Sequence, residues 1–312
     1  MILTPLSKKD FEKILRSYNI GKYKGHEHIP VAMEHTVFLL KTTKGKFILK
    51  IYNKEEAKHL KLELKIRGLL QKKLPIPEII KTLSREEDII YKNKPITLER
   101  FIEGRGTTKL NKKMLVNATK IMVLMHKELM KIKMKNIPEE DHLKPHKFGV
   151  KNTFGFNFRE AENKYLRETK IIHKSKLRKS IIHSDFQDVN LLFKNNKVVA
   201  ILDWADVNKT ALVYDIAIFI CHSFVKKNRI EKEKIRTFLK IYQREIRLND
   251  DEKRAIYFMM KRRLLGVLIW CYTMSKEHKD MAKTLKKWAA VCIKCYKTLE
   301  KFPLEDFLRL CD

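Results

Sequence analysis

Ile181-Ile182-His183-Ser184-Asp185-Phe186-Gln187-Asp188-Val189-Asn190-Leu191-Leu192-Phe193 is the densest polar signal in the chain. Apolar runs flank an acid-rich loop, the pattern of short strands that present a loop at their ends. Val198-Val199-Ala200-Ile201-Leu202 then delivers Asp203-Trp204 onto a second loop. Phosphoryl transfer needs the side chains these two loops supply. One carboxylate accepts the proton of the attacking hydroxyl, and oxygen ligands, here an Asn and an Asp, hold Mg2+ against phosphates. Asp185 and Asn190 are five residues apart, the H-x-D-x-x-x-x-N spacing, and Asp185 and Asp203 are eighteen apart. The second interval lets two neighbouring strands place both carboxylates at one mouth.

Upstream, Phe47-Ile48-Leu49-Lys50 resembles the V-A-I-K strand whose Lys reaches ATP phosphates, and Glu63 on the following helix is the candidate partner that fixes Lys50. Any one of these residues alone would be an ordinary surface or core residue. The ordered set Lys50, Glu63, Asp185, Asn190, Asp203 carries the argument. Around it, 29–40 and 46–52 read as a β-hairpin turning at Thr42-Thr43-Lys44-Gly45. A helix over 55–71 is stopped by Leu74-Pro75-Ile76-Pro77, and 78–83, 88–91 and 96–102 read as further strands. From Asn111 the character turns helical, with helices expected over 114–130, 159–176, 212–226, 230–246, 251–275 and 280–302. The expected class is therefore α+β: a small β-rich N-terminal lobe, 1–102, and a larger, mostly helical lobe, 103–312, joined near 98–104. Clefts between two lobes are common ligand sites.

On these residues the chain resembles the aminoglycoside phosphotransferase and choline kinase group, which shares the protein-kinase-like fold. The stretch from Ile181 to Phe219, HSDFQDVNLLF…AILDWADV…YDIAIF, carries the likeness most strongly. The resemblance implies Asp185 as catalytic base, Asn190 and Asp203 as Mg2+ ligands, and Lys50, paired with Glu63, as the ATP phosphate contact. It implies that His183 supports the loop and that Asp215, in Tyr214-Asp215-Ile216-Ala217, is a structural helix-start carboxylate. Backbone groups near Arg100 and Ile102 would hold adenine. There is no glycine-rich loop before Lys50; the corresponding segment is Ala32-Met33-Glu34-His35-Thr36-Val37, so backbone amides and Thr36 would face the phosphates. Glu34 to Leu40 and the region 238–253 also resemble type II homoserine kinases, although those usually carry Asp-Phe where Asp203-Trp204 stands here. The implied activity is ATP-dependent phosphorylation of a small-molecule hydroxyl, with a homoserine-like amino alcohol or an aminoglycoside- or choline-like compound as acceptor.

The chain has 312 residues, 68 Lys plus Arg against 37 Asp plus Glu, and a formal charge of +31. With 44% hydrophobic residues it can bury a core, which excludes wholesale disorder. The lysines are scattered from Lys8 to Lys301 without a basic block or an aromatic-interleaved stripe. They read as a solvated surface that attracts anionic nucleotides, and no specific nucleic-acid partner is expected. The competing reading is a kinase-like pseudoenzyme, or a protein whose basic surface binds anionic polymers; the complete catalytic set weighs against it. The longest strongly apolar run, 264–272, is too short to span a bilayer, so no membrane partner is expected. The N-terminus has no basic region followed by an apolar one, so no signal peptide is expected. Five cysteines, all in the last third, suit reduced thiols in a cytoplasmic protein. Cys292-Ile293-Lys294-Cys295 spells C-x-x-C, but no second pair stands at zinc spacing.

Overall fold

The computed structural model describes residues 4–30, 35–53, 57–141, 143, 150, 152–173 and 176–312. It divides into two compact units. One runs through Gly104 and regains Val199–Ala205; the other comprises Arg105–Val198 and Asp206–Asp312. The division thus falls two residues beyond the 102/103 boundary read from the sequence. The return of 199–205 to the first unit has a visible cause: Ile201 donates its backbone N–H to Pro75 O at 2.7 Å.

The first unit opens with α1 (Lys8–Leu15), started by a capping box in which Ser7 and Asp10 serve each other's backbone amides. Five strands follow, with one helix among them: β1 (Tyr23–His28), β2 (Thr36–Thr42), β3 (Gly45–Ile51), α2 (Ala57–Leu70), β4 (Asp88–Tyr91) and β5 (Lys94–Arg100). They form an antiparallel sheet in the order β1-β2-β3-β5-β4. The hairpin closes with Thr42 opposite Gly45, where the glycine takes a positive φ. Phe11 and Ile14 of α1 pack with Phe38, Leu40, Phe47, Leu49 and Leu98 of the sheet into one buried core. Each such side chain contributes roughly 1.5–3 kcal/mol by leaving water. The segment 78–83 is not a strand. It makes a single bridge, Ile79 to Glu99, and then turns through Arg85 at positive φ, with Arg85 N–H on Thr82 O.

The second unit contains α3 (Lys112–Met130), β6 (Asn152–Thr153), β7 (Phe156–Asn157), α4 (Phe158–Glu168), β8 (Lys179–Ile182), β9 (Leu191–Lys194), the start of β10 (Lys197–Ile201), β11 (Asn208–Ala211), α5 (Val213–Phe224), α6 (Lys232–Gln243), α7 (Asp250–Glu277), α8 (Ala282–Glu300) and α9 (Leu304–Cys311). α5 is buried almost all round, as an element apolar on every face must be. α4 stops eight residues short of the expected end. A 3-10 turn over Thr169–Ile171 follows, and Ile172 is extended, in keeping with the χ1-stiff β-branched residues gathered there. β11 pairs antiparallel with β8, Asn208 opposite Ile182 and Ala211 opposite Lys179, a ribbon not visible in the sequence pattern.

Candidate active site

In the first unit, Lys50 lies opposite Val37 of β2 and Thr97 of β5. Strand alternation sends Phe47, Leu49 and Ile51 into the core and Lys50 to the other face. The Lys50 ammonium is 3.8 Å from Asp203 Oδ1 and 4.9 Å from the centre of the Tyr52 ring. Burial works to lower its pKa, but the negative potential of Tyr52, Glu63, Asp203 and Glu99 outweighs burial and holds it well above the usual lysine value. Lys50 therefore stays cationic, as a phosphate contact must.

Glu63 corrects the expected pairing. Its carboxylate takes Arg67 Nη1 at 3.0 Å, one helical turn along α2, and not the Lys50 ammonium. Arg67 Nη1 also reaches Glu99 at 2.8 Å, and Nη2 donates to Pro77 O at 3.0 Å. The i, i+4 geometry of α2 brings the Arg67 fork to Glu63 from the same helix, and its guanidinium serves Glu63 and Glu99 together. Glu63 acts on Lys50 through its charge. Arg67 and Tyr52 are parts of this cluster that the motif reading missed; an Arg four residues after the candidate Glu was the available signal.

Arg100 and Ile102 differ in what they can offer. The Arg100 amide donates to Glu78 O at 2.8 Å and its side chain to Glu78 Oε2 at 2.7 Å, so its backbone donor is spent. Ile102 lies beyond β5 in irregular, half-buried backbone. Thr36 begins β2 and is buried, and among the described residues its Oγ1 has no hydrogen-bond partner. Residues 32–34 of the same segment lie outside the described residues, as do Glu55 and Glu56 ahead of α2. Asp203 adopts a left-handed backbone with φ 60, a conformation Asp tolerates better than most residues. Trp204 anchors the turn by donating its indole N–H to Ile201 O at 3.1 Å.

In the second unit, β8 leads into His183-Ser184-Asp185. Asp185 accepts Asn190 Nδ2 at 2.6 Å on Oδ2 and Gln187 Nε2 at 2.9 Å on both oxygens, and Arg263 of α7 pairs with Oδ1. The loop is held from below by Asp215 in the first turn of α5. Its two oxygens accept the backbone amides of His183 at 2.9 Å and Ser184 at 2.8 Å. His126 Nε2 sits 3.2 Å from Asp215, and His126 Nδ1 lies 2.7 Å from the Tyr242 hydroxyl. Asp185 N–H reaches His183 Nδ1 at 3.2 Å, so His183 lies inside the loop as a support. Ser184 has φ 64, in the left-handed region where glycine is favoured. Behind Arg263, His222 Nε2 accepts from Nε at 3.0 Å. Burial, and then the charges of Arg263 and Lys226, push the His222 pKa down to about 3. Asp188 is the reverse case: burial raises its carboxyl to about 6, against the pull of Lys226. His126 and His222 had no signal in the sequence beyond being polar residues in apolar company, and Gln187 stood in the polar loop without a motif position of its own.

Each of the two expected metal ligands keeps an oxygen of the kind a hard cation takes. Asn190 spends its amide nitrogen on Asp185, leaving a carbonyl oxygen as its remaining acceptor, and Asp203 offers a half-exposed carboxylate. Among the described residues no three His, Cys, Asp or Glu side chains stand together as a preformed cage. A Mg2+ that takes one or two protein oxygens and fills the rest of its octahedron with phosphate and water oxygens needs no such cage.

A family model described as the phosphotransferase enzyme family matches residues 27–255. The chain belongs to this family. It is a small-molecule kinase with the protein-kinase-like fold, acting on hydroxyl groups. Among the curated relatives, the homoserine kinase of Bradyrhizobium diazoefficiens is 24% identical over 279 residues, covering 82% of this chain and 81% of that protein. The homoserine kinase of Methylobacillus glycogenes is 21% identical over 292 residues, covering 91% and 90%. Among solved structures, amicoumacin kinase in complex with AMP-PNP, Ca2+ and amicoumacin superposes with a TM-score of 0.74 at 15% identity, covering 98% of this chain and 97% of that one. A microcompartment-associated aminopropanol kinase superposes with a TM-score of 0.70 at 14% identity, covering 97% and 100%. At these identities the structural likeness establishes the fold.

Proposed function

We propose that this phosphotransferase moves the γ-phosphoryl group of ATP, bound with Mg2+, to the hydroxyl of a small molecule, with Asp185 accepting the hydroxyl proton. The observation that carries the assignment is the fixation of Asp185. Three side chains, Asn190, Gln187 and Arg263, hold its carboxylate on a loop whose backbone is clamped by Asp215. A base in phosphoryl transfer has little covalent work and must above all aim the nucleophile, which is what a carboxylate held from three directions does. Lys50, kept cationic by its acidic neighbours, contacts the phosphates. Asn190 and Asp203 supply the oxygens for Mg2+, which when bound neutralises charge developing on the phosphates. The names of the curated relatives support a homoserine-like amino alcohol as acceptor, and those of the structural neighbours an aminoglycoside- or aminopropanol-like one. Five unpaired thiols, four of them buried, support a reducing cytoplasmic setting.

Asp185→Asn tests the assignment. Turnover, measured as ADP released in the presence of a hydroxyl-compound panel, should fall by roughly 10²–10⁴-fold. ATP binding should stay near wild type, and the variant should remain folded with a lower unfolding midpoint, since Arg263 loses its carboxylate partner. Near-wild-type turnover would remove Asp185 from the role of base. Asp203→Ala should weaken nucleotide binding with Mg2+ far more than without it, and equal affinities in the two titrations would leave Asp203 a structural part.

A further inference from the structure

Beside Asp185 the second unit holds a cavity of about 570 Å3, whose lining includes Gln187, Asp188, His222, Lys226, Leu264 and Val291. Its volume is in the range of small-molecule pockets. Gln187 joins it to the chemistry, since this lining residue also donates its side-chain amide to both Asp185 oxygens at 2.9 Å. Resting on the phosphotransferase reading above, we infer that this cavity receives the acceptor and selects a zwitterionic hydroxy amino acid, its carboxylate on Lys226 and its ammonium on Asp188.

Two unmet charges in one apolar enclosure carry the inference. Asp188 is buried, and although the Val189 amide serves its carboxylate, Oδ2 has no hydrogen-bond partner. A buried carboxylate oxygen without a donor is costly unless a ligand supplies one. Lys226 is half-buried, and its ammonium donates to the His222 carbonyl at 3.3 Å. Among the described residues no carboxylate stands within salt-bridge distance of it. The two groups feel each other's charge, yet they do not pair. A ligand with its own positive and negative ends satisfies both at once. The remaining lining sets the sign. Lys226 and Lys227 stand in the lining with one carboxylate, Asp188, while Arg229 is paired with Glu231, so a polycation such as an aminoglycoside meets net repulsion. Leu264 and Val291 offer apolar wall to the carbon chain that carries the hydroxyl toward Asp185.

The test uses four acceptors with the full chain, ATP and Mg2+: homoserine, 3-aminopropan-1-ol without the carboxylate, 4-hydroxybutyrate without the amine, and a polycationic aminoglycoside. Homoserine should give the highest kcat/KM and the aminoglycoside the lowest. Lys226→Met should raise KM for homoserine and for 4-hydroxybutyrate on the order of tenfold to a hundredfold, the worth of one charged hydrogen bond, with the loss in KM and not in kcat. The same change should not penalise 3-aminopropan-1-ol. A preference for the aminoglycoside, or a Lys226→Met loss that falls equally on all four compounds, overturns the inference while leaving the kinase reading in place. Calorimetric binding of homoserine in the presence of ADP separates the two claims. Binding that weakens in Lys226→Met without turnover upholds the pocket and sinks the kinase reading. Absence of both binding and turnover overturns the pocket.

Discussion

Asp215 Oδ1 accepts the backbone N–H of Ser184 at 2.8 Å, and its other oxygen takes the neighbouring amide of His183. The carboxylate is fully buried and has no water to fall back on. Asp215→Asn replaces one acceptor by an NH2 group that must face an amide donor. The expected cost is about 2–4 kcal/mol in urea unfolding, since one charged hydrogen bond is lost and one buried donor is stranded. Turnover should fall with it, because Asp185 is carried on the same loop. An unchanged unfolding midpoint would show that the loop is held elsewhere.

Ser184 pays for a left-handed backbone and a buried hydroxyl with no hydrogen-bond partner. Glycine removes both penalties and costs only the extra freedom of the unfolded chain. Ser184→Gly should therefore stabilise the protein by about 1 kcal/mol, read as a rise in the urea midpoint. Destabilisation would mean that the hydroxyl has a role the fold needs.

Arg67 joins two carboxylates, Glu63 and Glu99, so the single variants should be unequal. Arg67→Met leaves two buried acids without a hydrogen-bonded cation and with only the charge of Lys50 nearby, whereas Glu63→Gln leaves Arg67 its Glu99 partner. Arg67→Met should cost about 3–5 kcal/mol and Glu63→Gln clearly less. In a double-mutant cycle their losses should fall short of additive by 0.5 kcal/mol or more, of order the coupling of directly contacting residues. Additive losses would separate the two residues.

His222 is kept neutral in the folded protein, with a pKa of about 3 against an ordinary value of 6.5. Between those values the unfolded chain binds the proton and the folded one does not. Stability from this site is therefore complete above pH 6.5 and is lost progressively as pH falls toward 3. His222→Gln should flatten the slope of unfolding free energy between pH 6 and 4. An unchanged slope would show that other groups govern acid sensitivity.

The loop that carries Asp185 was legible because its contacts are local: Asp185 and Asn190 sit five residues apart on one turn and meet at 2.6 Å. The hairpin, α2 and the long helices were legible from periodicity and from the proline stop after Leu74. What the sequence hid was set by contacts between distant segments. Arg263 is 78 residues from Asp185, and His126 is 89 from Asp215. Glu63 was read as the partner of Lys50 from motif order alone, and the nearer fork of Arg67 took it. The strand expected over 78–83 is cut short: Glu78 and Ile80 bond to Arg100 and Leu98 of β5, and by Thr82 the chain has entered a turn.

The placement of Asp215 in the first turn of α5 also decides how the protein responds to ionic strength. The aligned peptide dipoles of that helix favour a negative charge at its start. Dissolved ions reach across about 8–10 Å of water but do not enter a packed interior. Added salt therefore leaves the clamp beneath His183 and Ser184 intact while it mutes the field of a chain carrying +31. A fall in kcat/KM as salt rises belongs to the encounter of charged substrates with the protein, and kcat at saturating substrate stays level.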